Sequence, residues 1–266
     1  MMFLIRKIQE YWGIGSTLGG RGTADRIRLT AALFGVPLRK RVFGRKPVPL
    51  RLTYQGREFV FNVRDGADIA VLKEVFVGGE YRIPSSIEPK KLVDIGSHIG
   101  ASVAFFACTY PHAIVTAYEP DPENFDLLVK NMQQFQNITC VQAAVSSISG
   151  EVSFFRNAES SISSSLMRRS RNEEKISVRS VSIHDVLRDG KTDLMKFDIE
   201  GGEYSMFASA DASMLPAICI GEVHYDLMAK SKEDFLRLFP GYTCEDHPLS
   251  DHRAILFLCK DTMRSP

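Results

Sequence analysis

The sequence predicts an α/β protein whose mainly parallel sheet is covered by helices on both faces. Two observations predict this fold. From residue 90 onward, short apolar runs typical of buried strands alternate with amphipathic segments typical of helices. The chain also has 266 residues, of which 44% are hydrophobic and 24% charged, which is ordinary for a globular protein with a sizeable core. One large domain with an N-terminal appendage is therefore expected.

The elements of the main domain follow in chain order. Strands are predicted at the apolar runs 91–95, 113–118, 138–145, 192–197, 217–223 and 254–259. Helices are predicted at 99–110, 122–135 and 230–239. The second helix begins at Pro122, a residue that suits the first helical turn, and its apolar residues then recur at helical spacing.

A different pattern interrupts this alternation. Two short strand-like pieces, 152–155 and 176–181, flank a stretch rich in serine and arginine at 157–175. We expect this stretch to be a solvated loop or, alternatively, a lid that closes over bound ligands. In a lid, the serines at 160–165 would meet sugar hydroxyls and the arginines an acidic sugar or phosphate. The arginines concerned are Arg168, Arg169 and Arg171.

Residues 1–85 are predicted to form an N-terminal cap, and 86–266 the main domain. Within the cap, 50–54 and 58–63 have the pattern of a hairpin, and 69–76 that of a short helix that ends at a glycine pair. We expect this cap to pack on one edge of the main sheet.

Charge is distributed unevenly along the chain. The 33 basic and 32 acidic residues nearly balance, which argues against a dedicated nucleic-acid binder. Residues 1–51, however, hold eleven Lys and Arg against Glu10 and Asp25, so this segment carries +9 and the remainder −8. The basic segment is predicted either to be a solvated face or to lie against anionic lipid or a lipid-linked substrate.

The cysteines and the first residues indicate a compartment. Five widely spaced cysteines without a C-x-x-C pair predict neither a disulfide framework nor a zinc site. The opening apolar residues are cut short by Arg6 and Lys7, so no signal peptide is predicted. No apolar run reaches the length of about 18 residues that a membrane span needs. We therefore expect a cytoplasmic protein with reduced thiols.

The loop after the strand at 91–95 carries the clearest binding signal. Gly96 allows a sharp turn and a close approach of a ligand, and Gly100 allows the next helix to begin near the strand. A loop that grips a pyrophosphate has a glycine where this chain has Asp94. A carboxylate there repels pyrophosphate but tolerates the cationic end of S-adenosylmethionine, so a methyl donor fits better than a dinucleotide. Ser97 and His98 are expected to contact this cofactor.

A second cofactor signal lies at the tip of the following strand. Glu119 comes 23 residues after Gly96, close to the separation of about 20 at which an acidic side chain binds ribose hydroxyls. The third predicted strand ends near Gln142 and Ala143, where an adenine edge would lie. The Gln142 side chain and the Ala143 backbone are therefore candidates for adenine contacts.

Four segments together resemble the FkbM-type family of S-adenosylmethionine-dependent methyltransferases. They are Val-Asp-Ile-Gly-Ser-His-Ile-Gly (93–100), Tyr-Glu-Pro-Asp-Pro (118–122), Ala-Val-Ser (144–146) and Lys-Phe-Asp-Ile-Glu-Gly-Gly-Glu (196–203). The resemblance covers about residues 58–260. It implies the class I methyltransferase fold, a Rossmann-like sheet of seven strands whose last strand is antiparallel, and O-methylation, often of sugars or glycosylated natural products. The first 50 residues depart from this pattern.

The reacting end is expected beyond the carboxyl ends of the later strands, where ligands of open α/β sheets bind. This criterion selects Asp198 and Glu200 after one strand, and Glu222 and His224 on the next. If the first strand continues, Asp198 and Glu200 point to one face. Since a sugar hydroxyl is a poor acid, a general base is expected. His224 is predicted to be this base, with Asp198 as positioner or alternative base.

The sequence leaves three alternatives to this interpretation of the site. In the first, a divalent cation that acidifies the hydroxyl is bound by Asp198, Glu222 and His224, although the main interpretation includes no metal. A nicotinamide-dependent oxidoreductase would use a similar sheet, but Asp94 in the loop disfavours it. A binding or scaffold protein could keep the fold without catalysis. For the methyltransferase interpretation, the predicted partner is a small-molecule or glycan substrate.

Overall fold

The computed structural model describes residues 2–84, 86–156, 166 and 173–263. Nine α-helices are assigned in this part of the chain. They are α1 Met2–Leu18, α2 Thr23–Phe43, α3 Gly66–Leu72, α4 Ala101–Thr109, α5 Pro122–Met132, α6 Ile183–Leu187, α7 Glu203–Ala208, α8 Tyr225–Met228 and α9 Lys232–Leu236. A π-helical turn, Lys73–Gly78, extends α3.

Twelve strands are assigned in the same described ranges. They are β1 Val48–Tyr54, β2 Arg57–Val63, β3 Lys91–Ile95, β4 Ile114–Tyr118, β5 Ile138–Val141, β6 Ala144–Ser146, β7 Gly150–Arg156, β8 Glu174–Ser182, β9 Leu194–Phe197, β10 Ile218–His224, β11 Tyr242–Ser250 and β12 Arg253–Lys260.

The large sheet has seven strands in the order β11-β12-β10-β9-β3-β4-β5. The pairs from β10 to β5 are parallel, whereas β12 runs antiparallel to both β10 and β11. The predicted seven-stranded class I methyltransferase sheet, with its last strand antiparallel, is therefore confirmed.

The central strands are apolar on both faces because helices cover both. In β3, Leu92 belongs to the core on the side of α4 and α5, whereas Val93 and Ile95 belong to the core on the opposite side. Side chains alternate between the faces of a strand, so one apolar run supplies both cores. This is why the continuous apolar runs were good predictors of the parallel strands.

The sheet region differs from the sequence predictions in one boundary and one missed strand. The predicted strand 138–145 is divided: β5 ends at Val141, and β6 joins a separate three-stranded sheet with β8 and β7. The strand β11 was not predicted, because its residues are half-buried or exposed throughout and lack an apolar run. The lid prediction for 157–175 lies largely outside the described residues.

The N-terminal region packs on helices α4 and α5 and does not join the large sheet. The β1–β2 hairpin turns at Gln55 and Gly56, as predicted, and forms its own two-stranded sheet. The Asn131 side chain of α5 accepts from the Asn62 backbone N–H at 2.7 Å, and the rings of Phe59 and Phe135 lie 5.5 Å apart. The expected contact with a sheet edge is thus replaced by contact with a helix layer.

No helix in the described ranges is long and apolar enough to cross a membrane.

Candidate active site

The candidate site lies where the strand order of the large sheet reverses. β3 and β9 are neighbours, but the chain continues from β3 to β4 on one side and from β9 to β10 on the other. Ligands of open α/β sheets bind at such a point, beyond the carboxyl ends of the strands. A cavity of about 910 Å³ opens there, lined by residues that follow or end β3, β4, β9 and β10.

Gly96 turns the chain directly after β3. Its φ is +79°, and a Cβ atom here would lie 1.8 Å from the carbonyl oxygen of Asp198. Any larger residue would displace one of the two backbone segments that border the cavity. The backbone N–H groups of Gly96 and Ser97 both donate to the carbonyl oxygen of Tyr118 at 3.0 Å, which ties this loop to the tip of β4.

Gly100 has a packing role. A Cβ atom here would lie 2.8 Å from Cδ1 of Leu128 and 3.0 Å from Cε of Met132, so glycine lets α4 begin close to α5. Gly100 is not among the residues that line the cavity. The close packing found here is between two helices and not the predicted packing of helix on strand, and this position does not support a direct contact with the cofactor.

Asp94 does not line the cavity, in contrast to its predicted role. It is fully buried and stands opposite Lys196 in the β3–β9 ladder, with 3.4 Å between Asp94 Oδ1 and Lys196 Nζ. The Ser97 hydroxyl donates to Asp94 Oδ1 at 3.1 Å, and Lys196 Nζ donates to the Gly96 carbonyl at 2.7 Å. Asp94 thus supports the glycine loop from behind, and a direct contact with the sulfonium is not supported.

Glu119 lines the cavity from the tip of β4. Its Oε2 accepts from the backbone N–H of His98 at 2.8 Å, and its Oε1 from that of Asp121 at 2.9 Å. A carboxylate has about four acceptor positions, so Glu119 can still accept from a ribose hydroxyl besides these backbone donors and the Asn124 side chain. Burial raises the pKa of Glu119 to about 7, although the two backbone donors oppose this shift.

The affinity for the cofactor is expected to rise with pH because of Glu119. Its ionised form is the better acceptor for ribose hydroxyls, and this form dominates above its raised pKa of about 7. The ionised fraction grows about tenfold between about pH 6 and about pH 8, so the Kd for S-adenosylhomocysteine should fall by a comparable factor. Calorimetry measures this change. The variant Glu119→Gln should bind weakly at both pH values, whereas a wild-type Kd that ignores pH would contradict the assignment.

His98 lies within the glycine loop, between Gly96 and Gly100, and lines the cavity. Its Nε2 is 3.6 Å from Oδ1 of Asp68, a fully buried residue of α3. Burial lowers the pKa of His98 to about 4, against the opposing effect of Asp68. The ring is therefore neutral near pH 7 and can still make a hydrogen bond to a ligand. This position is consistent with the predicted cofactor contact.

The two candidates for adenine contacts separate in the structure. Ala143 is buried and lines the cavity, whereas Gln142 is exposed and is not among the lining residues. The difference follows from the break between β5 and β6, which turns the chain at Gln142. The position of Gln142 therefore does not support an adenine contact by its side chain.

His224, the last residue of β10, is surrounded by carboxylates. Its Nε2 lies 3.0 Å from Glu200 Oε2 and 3.3 Å from Glu222 Oε1, and its Nδ1 lies 3.4 Å from Glu203 Oε1. Asp198 also lies close, since it offers an oxygen within 4.8 Å of ligand-type atoms of Glu200 and His224. The structure thus brings together the four groups that the sequence selected for the reacting end.

The environment of His224 does not support its predicted role as the general base. Burial alone would lower its pKa, but the nearby carboxylates of Glu200, Glu203 and Glu222 outweigh burial and raise the pKa to about 12. The ring is therefore an imidazolium near neutral pH and has no lone pair that could accept a proton. Its charge instead offsets part of the surrounding negative charge.

The charge on His224 is expected to make stability depend on alkaline pH. Because its folded-state pKa is raised, the charged ring stabilises the fold fully below the ordinary pKa of 6.5, and this contribution decreases as pH rises towards 12. Between about pH 7 and about pH 9, wild type should lose up to about 1.4 kcal/mol per pH unit more than His224→Gln. Urea denaturation at both pH values measures this difference. Equal losses would show that the ring is neutral.

Asp198 directly follows β9 and lines the cavity. Its Oδ1 is buried without a hydrogen-bond partner among the described residues. Burial raises the pKa of Asp198 to about 8; Lys196 opposes this shift, and Glu200 and Glu222 add to it. A carboxylate with an unengaged oxygen and a pKa near the working pH is suited to accept a proton.

Glu200 reaches the cluster by a turn and not by continuation of the strand. β9 ends before Asp198, and Glu200 and Gly201 have φ values of +61° and +105°. The fully buried Glu203 accepts from the Gly201 backbone N–H at 3.0 Å and contacts His224, so it holds both the turn and the ring. The sequence analysis assigned Glu203 no role; its place directly after a glycine pair and at a helix start was the available signal.

The N-terminal region also contributes cavity residues that the sequence analysis missed. Glu74, Glu80 and Tyr81 line the cavity. Burial raises the pKa of Glu80 to about 7, and the charges of Glu74 and Glu222 add to this shift. The only signal for these positions was that the family resemblance extends upstream to about residue 58. The cap is thus part of the candidate site.

Three residues of the candidate site also have the spacing of cation ligands. One ligand-type atom from each of Asp198, Glu200 and His224 lies within 4.8 Å of the others. The set differs from the predicted alternative in having Glu200 where Glu222 was expected. A cation here and a proton on His224 are two ways to compensate the same carboxylates.

The fold and the site define a class I methyltransferase: a seven-stranded sheet with an antiparallel last strand, and at its switch point a glycine loop that faces an acidic strand tip. Residues 94–246 match the Methyltransferase FkbM domain. Since this match covers more than half of the chain, the chain belongs to the FkbM methyltransferase family and is an enzyme whose cofactor is S-adenosylmethionine. Family membership decides against the nicotinamide alternative.

Individual relatives are distant. The chain is 27% identical over 178 residues to methyltransferase sdnD of Sordaria araneosa, covering 53% of this chain and 68% of that protein. It is 27% identical over 158 residues to the hexuronic acid methyltransferase AglP of Haloferax volcanii, covering 58% and 61%. The solved structure of a putative methyltransferase, yhhF of Escherichia coli, aligns with a TM-score of 0.46 at 11% identity over 80% of this chain and 99% of that chain.

Proposed function

We propose that this enzyme methylates a hydroxyl group of a sugar, a glycan or a glycosylated metabolite. The observation that carries the proposal is the buried Oδ1 of Asp198, which lines the cavity and has no hydrogen-bond partner among the described residues. Asp198 follows β9, and β3 separates β9 from β4, the strand that leads to Glu119. A sulfonium methyl is already activated, so the acceptor decides what the protein must add. A hydroxyl is a weak acid and needs a base, which a thiolate acceptor does not.

The described residues divide the reaction between them. S-adenosylmethionine supplies the methyl group. Glu119 holds the ribose, and the loop from Gly96 to His98 borders the donor. Asp198 takes the hydroxyl proton as the acceptor oxygen bonds to the methyl carbon and the carbon–sulfur bond breaks. Alignment of the two reactants supplies several kcal/mol, and the base contributes about 10²–10⁴-fold.

The polar lining of the cavity near Asp198, where the methyl acceptor is proposed to bind, favours a polyhydroxylated substrate. Beyond Asp198, the lining includes Glu74, Glu80, Glu200 and Glu222. Carboxylates accept hydrogen bonds from hydroxyl groups, whereas an apolar acceptor would exclude water from Glu74 and Glu80 without replacing its hydrogen bonds, at a cost of about 1–3 kcal/mol each. The name of the relative AglP, a hexuronic acid methyltransferase, also supports a sugar.

Transfer of a deuterated methyl group tests this function. The enzyme is incubated with labelled S-adenosylmethionine and a panel of neutral, amino and uronic sugars and their glycosides, followed by cell extract. Mass spectrometry should find the label on a sugar oxygen. A label on nitrogen or sulfur would overturn the proposal. Cofactor binding without transfer to any sugar of the panel or of the extract would also overturn it.

Activity is expected to survive removal of divalent cations. The positive charge of His224 and the ion pair between Arg253 and Glu222, with Nη1 and Oε1 3.1 Å apart, already compensate part of the acidic cluster. Dialysis against EDTA should therefore change the initial rate of labelled methyl transfer by less than about twofold. A rate that collapses after chelation and returns with Mg²⁺ or Mn²⁺ would assign the cluster to a cation.

A further inference from the structure

Helix α2 has two apolar faces, and only one of them packs on the protein. Leu29, Leu33 and Val36 are buried, whereas Ile27 and Leu38 are 54% and 64% exposed. At 100° per residue, positions 27 and 38 fall on the side of the helix opposite the three buried residues. An ordinary surface helix carries polar residues on that side, so the second apolar face requires a partner of its own.

Helix α1 extends this second face. Leu4, Ile5, Ile8 and Trp12 are 44–58% exposed. The two helices meet where the rings of Tyr11 and Phe34 lie 4.7 Å apart. We call the combined surface the outer face; it consists of Leu4, Ile5, Ile8, Trp12, Ile27, Phe34 and Leu38.

This accumulation of exposed apolar side chains is confined to one region. Among the described residues, nine of the sixteen large hydrophobic side chains that are exposed fall within the first 43 positions. The other seven are scattered singly from Val60 to Met263, as is normal for a protein surface. The outer face is therefore a distinct patch.

Cations surround the outer face. The segment 1–51 carries eleven basic and two acidic residues. Arg6, Arg28, Arg39 and Arg41 are exposed, and of these only Arg28 has an ion-pair partner among the described residues, Asp25 at 3.1 Å. This charge disfavours a second copy of the chain as the partner, because two copies would bring +9 against +9.

We propose that the outer face docks on an anionic lipid surface. Helices that lie in the membrane interface combine an apolar face with flanking Lys and Arg, and Trp12 is the side-chain type favoured at that depth. Neither helix can cross the bilayer, so contact is peripheral.

Helix α1 also packs against Lys73–Gly78, where the Nζ of Lys73 lies 3.3 Å from Glu10, and Glu74 of that segment lines the cavity. The π-helical turn Lys73–Gly78 thus connects the helix that carries part of the outer face with the active-site cavity.

Vesicle sedimentation with the full chain tests the proposal. Phosphatidylcholine vesicles are compared with vesicles in which one third of the lipid is phosphatidylserine. We expect binding to the anionic vesicles that is at least about tenfold tighter and that weakens at high salt. The double variant Arg39→Gln/Arg41→Gln should lose about 25-fold in affinity, at about fivefold per cation.

The apolar contribution has a matched control. Ile27→Gln/Leu38→Gln should abolish sedimentation, whereas Ile114→Gln/Ile148→Gln, at positions that are 54% and 58% exposed but distant in sequence, should bind like wild type. All four residues are exposed, and unchanged circular dichroism and cofactor affinity would confirm that the variants fold. Equal binding to both vesicle types, no binding to either, or equal loss in both double variants would overturn the proposal. Light scattering provides a further test. If wild type is a dimer and Ile27→Gln/Leu38→Gln is a monomer, the outer face serves self-association and the proposal is overturned.

Discussion

Replacing Asp198 with asparagine is expected to lower kcat by about 10²–10⁴-fold, because the amide cannot take the proton of the acceptor hydroxyl. The Kd for S-adenosylhomocysteine should change by less than about threefold, since the residue proposed to hold the ribose, Glu119, lies on the other side of the switch point. In wild type, kcat should rise as pH increases through the raised pKa of Asp198, about 8, because the ionised form is the base. This rising limb should disappear in Asp198→Asn.

Asp226 provides a matched control for this prediction. It lines the same cavity but is exposed. Asp226→Asn should keep kcat within about threefold of wild type and retain the pH profile. Asp198→Asn with wild-type kcat would show that another group takes the proton or that the acceptor needs no base.

Replacing Gly96 with alanine is expected to abolish cofactor binding. The added Cβ would lie 1.8 Å from the carbonyl oxygen of Asp198, and atoms cannot approach so closely without backbone movement. The movement must displace either the glycine loop or the segment that carries the proposed base. We expect the Kd for S-adenosylhomocysteine to rise by more than about 10²-fold, measured by calorimetry, with loss of methyl transfer.

The control separates this clash from the strain of a positive φ. Gly241 has a φ of +75°, close to the +79° of Gly96, but a Cβ there would meet nothing within 4 Å. Gly241→Ala should therefore lose only about 1 kcal/mol of stability and keep its cofactor affinity. Similar effects of both substitutions on cofactor affinity would contradict the steric argument.

Local pattern predicted most of the elements near the site. The strand at 91–95 was placed without error, and the helix after Pro122 begins where proline and the capping carboxylate of Asp121 place it. These features depend on neighbours in sequence, so one sequence suffices to detect them. The same holds for Glu119, whose distance from the glycine loop is set by one βαβ unit.

The roles of Asp94 and His224 could not be predicted in this way. A carboxylate in a glycine loop can face a ligand or a cation behind it, and only the pairing of β3 with β9 places Lys196 opposite Asp94. A histidine at a strand end suits a base, but Glu203 and Glu200 bring negative charge to both of its ring nitrogens. Both outcomes depend on contacts between segments that are distant in sequence.

By itself, the sequence determined the fold class, the family resemblance, the position of the glycine loop and the set of acidic groups at the strand ends. These follow from periodicity and short motifs, which are local properties of the chain. Only the tertiary structure decided which carboxylate is neutralised, which keeps a free oxygen, and which N-terminal residues enter the cavity. Charge state and burial are set by what surrounds a side chain in space, and no local pattern records those neighbours.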